Sequence, residues 1–255
     1  MKNKLVFIGN SIVNGFPMSR GRSFPGLIRA SLKEGIAIER DAGGHAECGD
    51  GSERERSRRE KTVTLYADVI NKGANGETTA QILDRFEHDV IAHQPAAVFI
   101  MTGTNDFIYR EADPAGCMAN LKTMVRMCDD TGIRPVLMTP LPVHAGKASR
   151  MWMAGVGIDY EQINEEIEEF SEMIRESGQL CVDSGTLWKR FMDGGSKTGE
   201  QAGLDLPLPG GIEYPQRSED SYIDGVHPTP EGYRFLAEIV LAWIGRNAEE
   251  LGLNF

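Results

Sequence analysis

The sequence predicts an α/β protein in which a parallel β-sheet is covered by helices on both faces. Short segments such as Leu5–Ile8 and Ala96–Met101 are continuously apolar, which is typical of strands buried on both sides. Helical periodicity between these segments favours parallel strands joined by crossover helices. No second hydrophobic pattern and no clear linker interrupts this alternation, so we predict one domain over residues 1–255.

The predicted elements follow one another along the whole chain. Thr78 and Gln81 have the spacing of a capping box, and Thr229 followed by Pro230 is typical of a helix start. Residues 39–61 combine glycine pairs with a charged run and are predicted to form an exposed insertion. The predicted strands are 4–8, 62–70, 96–101, 135–139 and 180–182, and the predicted helices are 24–33, 78–86, 114–130, 159–174, 187–191 and 230–246.

Composition restricts the partners of this chain. It has 255 residues, 40% of them hydrophobic, and a formal net charge of -11. An acidic protein repels phosphate backbones, so nucleic-acid binding is not expected. No apolar run approaches the roughly 20 residues that span a bilayer, and the first apolar segment is shorter than the roughly 7–15 residues of a signal-peptide core. We predict a cytoplasmic protein with a small-molecule partner, and the sequence leaves a homo-oligomer open.

Polar residues follow the predicted strands where these end. Ser11 follows the first strand, Gly73 and Asn75 follow the second, and Asn105 follows the third. The carboxyl ends of parallel strands share one edge of the sheet, where open α/β sheets bind their ligands. The segment around His227 precedes the last helix and can return to the same edge.

These residue types are the ones that acyl transfer requires. A serine hydroxyl such as that of Ser11 needs a neighbouring imidazole to take its proton, and a carboxylate holds that imidazole in the correct tautomer. Asp224 and His227 are three residues apart, so one turn can bring them together. The oxyanion that forms needs hydrogen-bond donors. On its own, Ser11 also fits the N-cap of a helix, and this alternative stays open here.

Four short motifs resemble those of the SGNH hydrolase superfamily, also called GDSL esterases and lipases. They occur in the order that this family has and span nearly the whole chain. The motifs are Gly9-Asn10-Ser11-Ile12, Asn71-x-Gly73-x-x-Gly76, Gly103-Thr104-Asn105-Asp106 and Asp224-x-x-His227-Pro228.

The resemblance implies a flavodoxin-like, three-layer α/β/α fold with a five-stranded parallel sheet. It implies that Ser11 is the nucleophile, His227 the base and Asp224 the residue that orients it, with no metal and no organic cofactor. It assigns the oxyanion hole to Ser11, Gly73 and Asn105. The family usually has Asp where this chain has Asn10, which leaves the electrostatics around the nucleophile open.

We therefore expect a serine esterase that acts on short acyl esters of small molecules or carbohydrates. The predicted substrate-binding residues are Asn10, Asn75, His144 and Trp152. Trp152 fits two other roles equally well: it could pack its own loop against the protein, or it could contact a partner subunit. Two other functions remain as alternatives: an acyltransferase with the same three residues, and a catalytically silent binding module.

Overall fold

The computed structural model describes residues 3–41, 60–152, 157–193 and 215–255. Its central sheet has five parallel strands: β1 (Lys4–Gly9), β4 (Asp68–Gly73), β5 (Ala97–Met101), β6 (Arg134–Met138) and β7 (Leu180–Val182). Their spatial order is β4-β1-β5-β6-β7, and Gly9 of β1 lies beside both Gly73 of β4 and Met101 of β5. This is the flavodoxin-like order, which reverses direction between β1 and β5. The predicted fold class is confirmed.

Helices cover both faces of the sheet. They are α1 (Ser11–Asn14), α2 (Phe24–Glu34), α3 (Thr79–Asp84), α4 (Phe86–Asp89), α5 (Thr104–Tyr109), α6 (Pro114–Thr131), α7 (Ala145–Met151), α8 (Tyr160–Glu176), α9 (Ser184–Met192) and α10 (Pro230–Arg246). None of the helices within the described ranges is long and apolar enough to cross a membrane.

The side chains of β1 show why its sequence is continuously apolar. Leu5 and Phe7 point into the core beneath α2 and α10, whereas Val6 and Ile8 point into the core beneath α6 and α8. All four are fully buried. A strand with helices on both faces buries every side chain, which removes the alternation that a half-exposed strand would show.

The predicted strand 62–70 is in fact two strands. The chain forms β3 (Glu60–Leu65), passes Tyr66 and Ala67, and then forms β4. Strand β3 pairs antiparallel with β2 (Ile36–Asp41), whereas β4 pairs parallel with β1. Two neighbouring strands with partners on different sheets read as one apolar run in the sequence.

The ends of the predicted insertion 39–61 belong to this β2–β3 ribbon, with Glu39 opposite Thr62. Residues 42–59, which hold most of that insertion, lie outside the described residues. Residues 193–222 are rich in Gly and Pro, so the sequence predicts an irregular segment there. Most of this segment lies outside the described residues too, although a 3₁₀ turn at Ser218–Ser221 is described. Helix α7 was not predicted, because 140–157 reads as a long loop in the sequence.

Candidate active site

Ser11 lies at the junction of β1 and α1, where the sheet order reverses. Gly9 ends the strand, and a Cβ atom there would lie 2.1 Å from the carbonyl oxygen of Met101 in β5. Only glycine therefore fits at this point, where the end of β1 lies against Met101 of β5. Asn10 caps α1, since its side chain accepts a hydrogen bond from the backbone N–H of Ile12 at 3.2 Å. The N-cap alternative for Ser11 is therefore wrong, and its hydroxyl is free for another contact.

The hydroxyl of Ser11 contacts the imidazole of His227. The distance from Ser11 Oγ to His227 Nε2 is 2.8 Å, and His227 Nδ1 lies 2.7 Å from Asp224 Oδ2. All three side chains are buried, with 6–8% of each residue exposed. An ionised Asp224 can only accept a hydrogen bond, so Nδ1 of His227 is the nitrogen that donates to it. In the neutral imidazole Nε2 is then the nitrogen without a proton, and its lone pair faces the serine.

Asp224 is held as a carboxylate by the turn that carries it. Its Oδ1 accepts the backbone N–H groups of Val226 at 2.9 Å and His227 at 2.8 Å. Burial acts to raise the pKa of Asp224, but the hydrogen bonds from His227 and Val226 outweigh it and hold the pKa below its usual 3.8. The turn needs Gly225, whose φ is +96° and whose Cβ would lie 2.3 Å from the backbone nitrogen of Ala148.

A pocket of about 470 Å³ opens in front of this contact. Two aromatic rings flank His227: the centroid of Phe16 lies 4.8 Å from that of the imidazole, and the centroid of Trp152 lies 6.3 Å from it. None of the described lining residues is Asp, Glu, Lys or Arg, so the pocket suits an uncharged ligand. The lining residues are Ser11, Phe16, Asn75, Gly76, Asn105, Ile108, Tyr109, Trp152, Ile158, Tyr160, Val226 and His227.

The geometry does not support the predicted role of Gly73 in the oxyanion hole. Its N–H donates to Asn71 Oδ1 at 2.8 Å, and the residue does not line the pocket. Gly73 is needed for packing, because a Cβ atom there would lie 2.1 Å from the backbone nitrogen of Asn14. The N–H of Gly76 donates to no protein acceptor in the described part of the chain, and Gly76 lines the pocket at a φ of +78°. The two glycines lie in one motif, and they differ in the direction of their N–H groups and in that only Gly76 lines the pocket.

Asn105 lies on the pocket wall in the first turn of α5. Its Nδ2 donates one proton to the carbonyl oxygen of Glu77 at 2.9 Å, which leaves the second proton of the amide for a ligand. The next residue, Asp106, accepts hydrogen bonds from the backbone N–H and hydroxyl of Thr79 at 2.6–3.1 Å. These bonds join the start of α5 to the start of α3, so Asn105 and the loop with Gly76 are held together.

The four predicted substrate-binding residues divide into two pairs. Asn75 and Trp152 line the pocket. Asn10 and His144 do not line it, because each caps a helix: His144 Nδ1 accepts the backbone N–H of Lys147 at 3.1 Å at the start of α7. A polar residue just before a helix fits a cap and a ligand contact equally well, so the sequence could not separate the two roles.

Arg85 binds the end of β1, two residues before Ser11. Its Nη2 donates to the carbonyl oxygen of Gly9 at 3.2 Å, while Nε and Nη1 contact Glu77 and Asp89 at 2.6 Å each. The guanidinium therefore ties the end of β1 to α4.

The Asp89 carboxylate makes stability depend on acid pH. Partial burial acts to raise its pKa, but hydrogen bonds from Lys72, Arg85 and His88 outweigh it and lower the pKa from 3.8 to about 2. A lowered carboxyl pKa stabilises the fold above the unfolded-state value of roughly 3.9, and this contribution is lost as the pH falls towards the folded-state value. We expect Asp89→Asn to lower the free energy of unfolding at pH 7, with a gap to wild type that narrows as the pH falls from about 5 to about 3.

Urea unfolding at a series of pH values measures this gap. Asp130→Asn, at an exposed position of α6, is the matched control. If Asp89→Asn and wild type differed in their free energy of unfolding by the same amount at pH 7 and pH 3, the lowered pKa of Asp89 would not contribute to stability.

Comparison with known proteins identifies the family. The family model of the GDSL-like lipase/acylhydrolase family matches residues 7–235. An acetylxylan esterase from Geobacillus stearothermophilus is 25% identical over 187 residues, which cover 69% of this chain and 72% of that protein. The uncharacterized lipoprotein YqeF from Bacillus subtilis (strain 168) is 29% identical over 188 residues, covering 67% of this chain and 71% of that protein.

Solved structures share the fold. The lipase/acylhydrolase from Enterococcus faecalis is similar with a TM-score of 0.62 at 18% identity, covering 96% of both chains. Axe2, an acetylxylan esterase from Geobacillus stearothermophilus, is similar with a TM-score of 0.56 at 20% identity, covering 99% of this chain and 95% of that chain. The chain belongs to the GDSL-like lipase/acylhydrolase family. It is a hydrolase that acts on ester bonds.

Proposed function

We propose that this protein is a serine esterase that forms an acyl-enzyme on Ser11, with His227 as general base and Asp224 as the residue that orients it. The observation that carries this proposal is the continuous hydrogen-bonded chain from Ser11 Oγ through both ring nitrogens of His227 to Asp224, with distances of 2.8 Å and 2.7 Å. This chain opens into a pocket, and each member has the partner that its role needs.

The reaction follows from these contacts. His227 Nε2 takes the proton of Ser11 while Oγ attacks the ester carbonyl, and the imidazolium then gives that proton to the departing alcohol. Water attacks the acyl-enzyme with His227 again as base, which releases the acid and restores the serine. Asp224 stays ionised throughout and stabilises the imidazolium.

We propose three donors for the oxyanion: the backbone N–H of Ser11, the backbone N–H of Gly76 and the side-chain amide of Asn105. Ser11 and Asn105 were predicted from the sequence, and Gly76 replaces Gly73. The Ser11 N–H is supported by its place in the first turn of α1, where it has no acceptor among the described backbone groups. All three residues line the same pocket.

Removal of the Asn105 amide tests this assignment. We expect Asn105→Ala to lower kcat by about 10²–10³-fold with little change in KM, since an oxyanion donor acts mainly in the transition state. Asn120→Ala is the comparison variant: Asn120 donates to Thr79 behind the site and does not line the pocket. An Asn105→Ala variant with wild-type kcat would show that Asn105 is not an oxyanion donor.

Short acyl esters of neutral small molecules or carbohydrates are the proposed substrates. The absence of Asp, Glu, Lys and Arg from the described pocket lining favours uncharged esters, and an acetylxylan esterase among the relatives favours an acetylated carbohydrate. This proposal is tested with a panel of three esters: phenyl acetate, phenyl octanoate and an acetylated methyl xyloside. The acid released from each ester is measured over time. We expect kcat/KM to be higher for the acetyl esters than for the octanoate. Turnover of none of the esters by the folded protein would overturn the proposal.

A further inference from the structure

Arg20 is bound to the carboxyl end of β4. Its Nη2 donates to the carbonyl oxygen of Gly73 at 3.1 Å, and its Nη1 lies 3.4 Å from that of Asn71. The third contact of the guanidinium is different, since Nε donates to the side-chain oxygen Oδ1 of Asn14 at 2.8 Å. Asn14 in turn donates from Nδ2 to Oδ1 of Asn75 at 2.7 Å. A relay of three side chains therefore runs from the surface to the pocket wall.

The relay determines which way the amide of Asn75 points. A guanidinium has donors only, so the atom of Asn14 that faces Arg20 must be its oxygen. The other end of the Asn14 amide is then a donor, and the atom of Asn75 that faces it must be an acceptor. The oxygen of Asn75 is thereby occupied by Asn14, and the NH₂ group is left for the pocket that Asn75 lines.

We propose that Asn75 is a specificity-determining residue that donates this NH₂ group to an oxygen atom in the alcohol part of the ester, and that Asn14 and Arg20 are the residues that orient it. The proposal rests on the proposed esterase function. The ester carbonyl oxygen already has three proposed donors, and a short acyl group carries no other oxygen atom. The bridging oxygen of the ester takes the proton of His227 as the alcohol departs. The acceptor for Asn75 must therefore be a further oxygen of the alcohol, which selects a neutral polyol or sugar over an alcohol without a second hydroxyl or an ether oxygen.

Asn14→Asp reverses the relay with a change of one atom. The new carboxylate still accepts from Arg20, but it cannot donate to Asn75. The amide of Asn75 then turns over to donate to this carboxylate, and its oxygen faces the pocket in place of the NH₂ group. Asn75→Ala removes the amide altogether, and the double variant tests whether Asn14 acts through Asn75.

The measurement is steady-state kinetics of these three variants with two probes: an acetylated methyl xyloside, whose alcohol carries further acceptor oxygens, and phenyl acetate, whose alcohol carries no oxygen beyond that of the ester bond. We expect Asn14→Asp and Asn75→Ala each to raise KM for the xyloside ester about tenfold and to lower the ratio of kcat/KM for the xyloside ester to kcat/KM for phenyl acetate by a similar factor, because this contact contributes to the binding of the xyloside ester only. The double variant is expected to match Asn75→Ala. Asn247→Asp, at the far end of α10, carries the same amide-to-carboxylate change away from the pocket and is the control.

The outcomes separate this inference from the function on which it rests. If the variants bind the xyloside ester as wild type does while wild type hydrolyses both esters, the role of Asn75 is overturned and the esterase function stands. Additive losses in the double variant would overturn the action of Asn14 through Asn75. If wild type hydrolyses neither ester, both proposals fail. Thermal unfolding of each variant shows that it is folded.

Discussion

Ser11→Ala is expected to lower kcat for ester hydrolysis by about 10⁴–10⁶-fold, the largest effect of any single substitution in this chain. Without Oγ no acyl-enzyme can form, and the remaining rate comes from water that reaches a carbonyl held by the oxyanion donors. The fold should persist. Asn10, rather than Ser11, caps α1, so the substitution removes no cap hydrogen bond.

Initial rates with phenyl acetate measure this loss, and thermal unfolding of the same samples shows whether the fold persists. Ser31→Ala on α2 provides a matched control for the chemical change. If the Ser11→Ala protein hydrolysed the ester at a rate within tenfold of wild type, Ser11 would not be the nucleophile.

Asp224→Asn is expected to lower kcat by about 10⁴-fold although it changes a single atom. The oxygen of the amide can still accept the backbone N–H groups of Val226 and His227, so the turn keeps its shape. The amide nitrogen, however, donates to His227 Nδ1 and places the ring proton on Nε2. The imidazole then points an N–H group at Ser11 and can no longer take its proton.

Burst and steady-state kinetics with phenyl acetate measure the effect on acylation. Asp220→Asn, four residues earlier in the same segment, is the control because Asp220 pairs with Arg217 at the surface. We expect this control to keep wild-type kcat within about twofold. A loss of less than about tenfold for Asp224→Asn would contradict the role of Asp224 in orienting His227.

The sequence predicts the main features of the fold because the strands of the central sheet are buried on both faces. Continuous apolar runs such as that of β1 are distinct from the periodic helices between them. The β2–β3 ribbon was not predicted, since its two strands are separated by a long polar segment that hides their pairing. Pairing between distant strands is a tertiary property that local patterns do not contain.

The candidate site was predictable at the level of residue types and less so at the level of single atoms. Ser11, Asp224 and His227 follow from motifs at the sheet edge, and the structure brings them into contact. The choice between Gly73 and Gly76 depends on the direction of one backbone N–H group, which no spacing reveals. The cytoplasmic location, the single domain and the oligomeric state stay predictions.

Labelling with a fluorophosphonate, read by intact mass and peptide mapping, tests most directly whether Ser11 is an activated nucleophile. The reagent reacts with a serine only when a base and oxyanion donors are in place around it. We predict a single adduct on wild type, mapped to Ser11, and none on Ser11→Ala. An unlabelled wild-type protein that is folded, or an adduct of equal yield on Ser11→Ala, would contradict the role of Ser11 as an activated nucleophile.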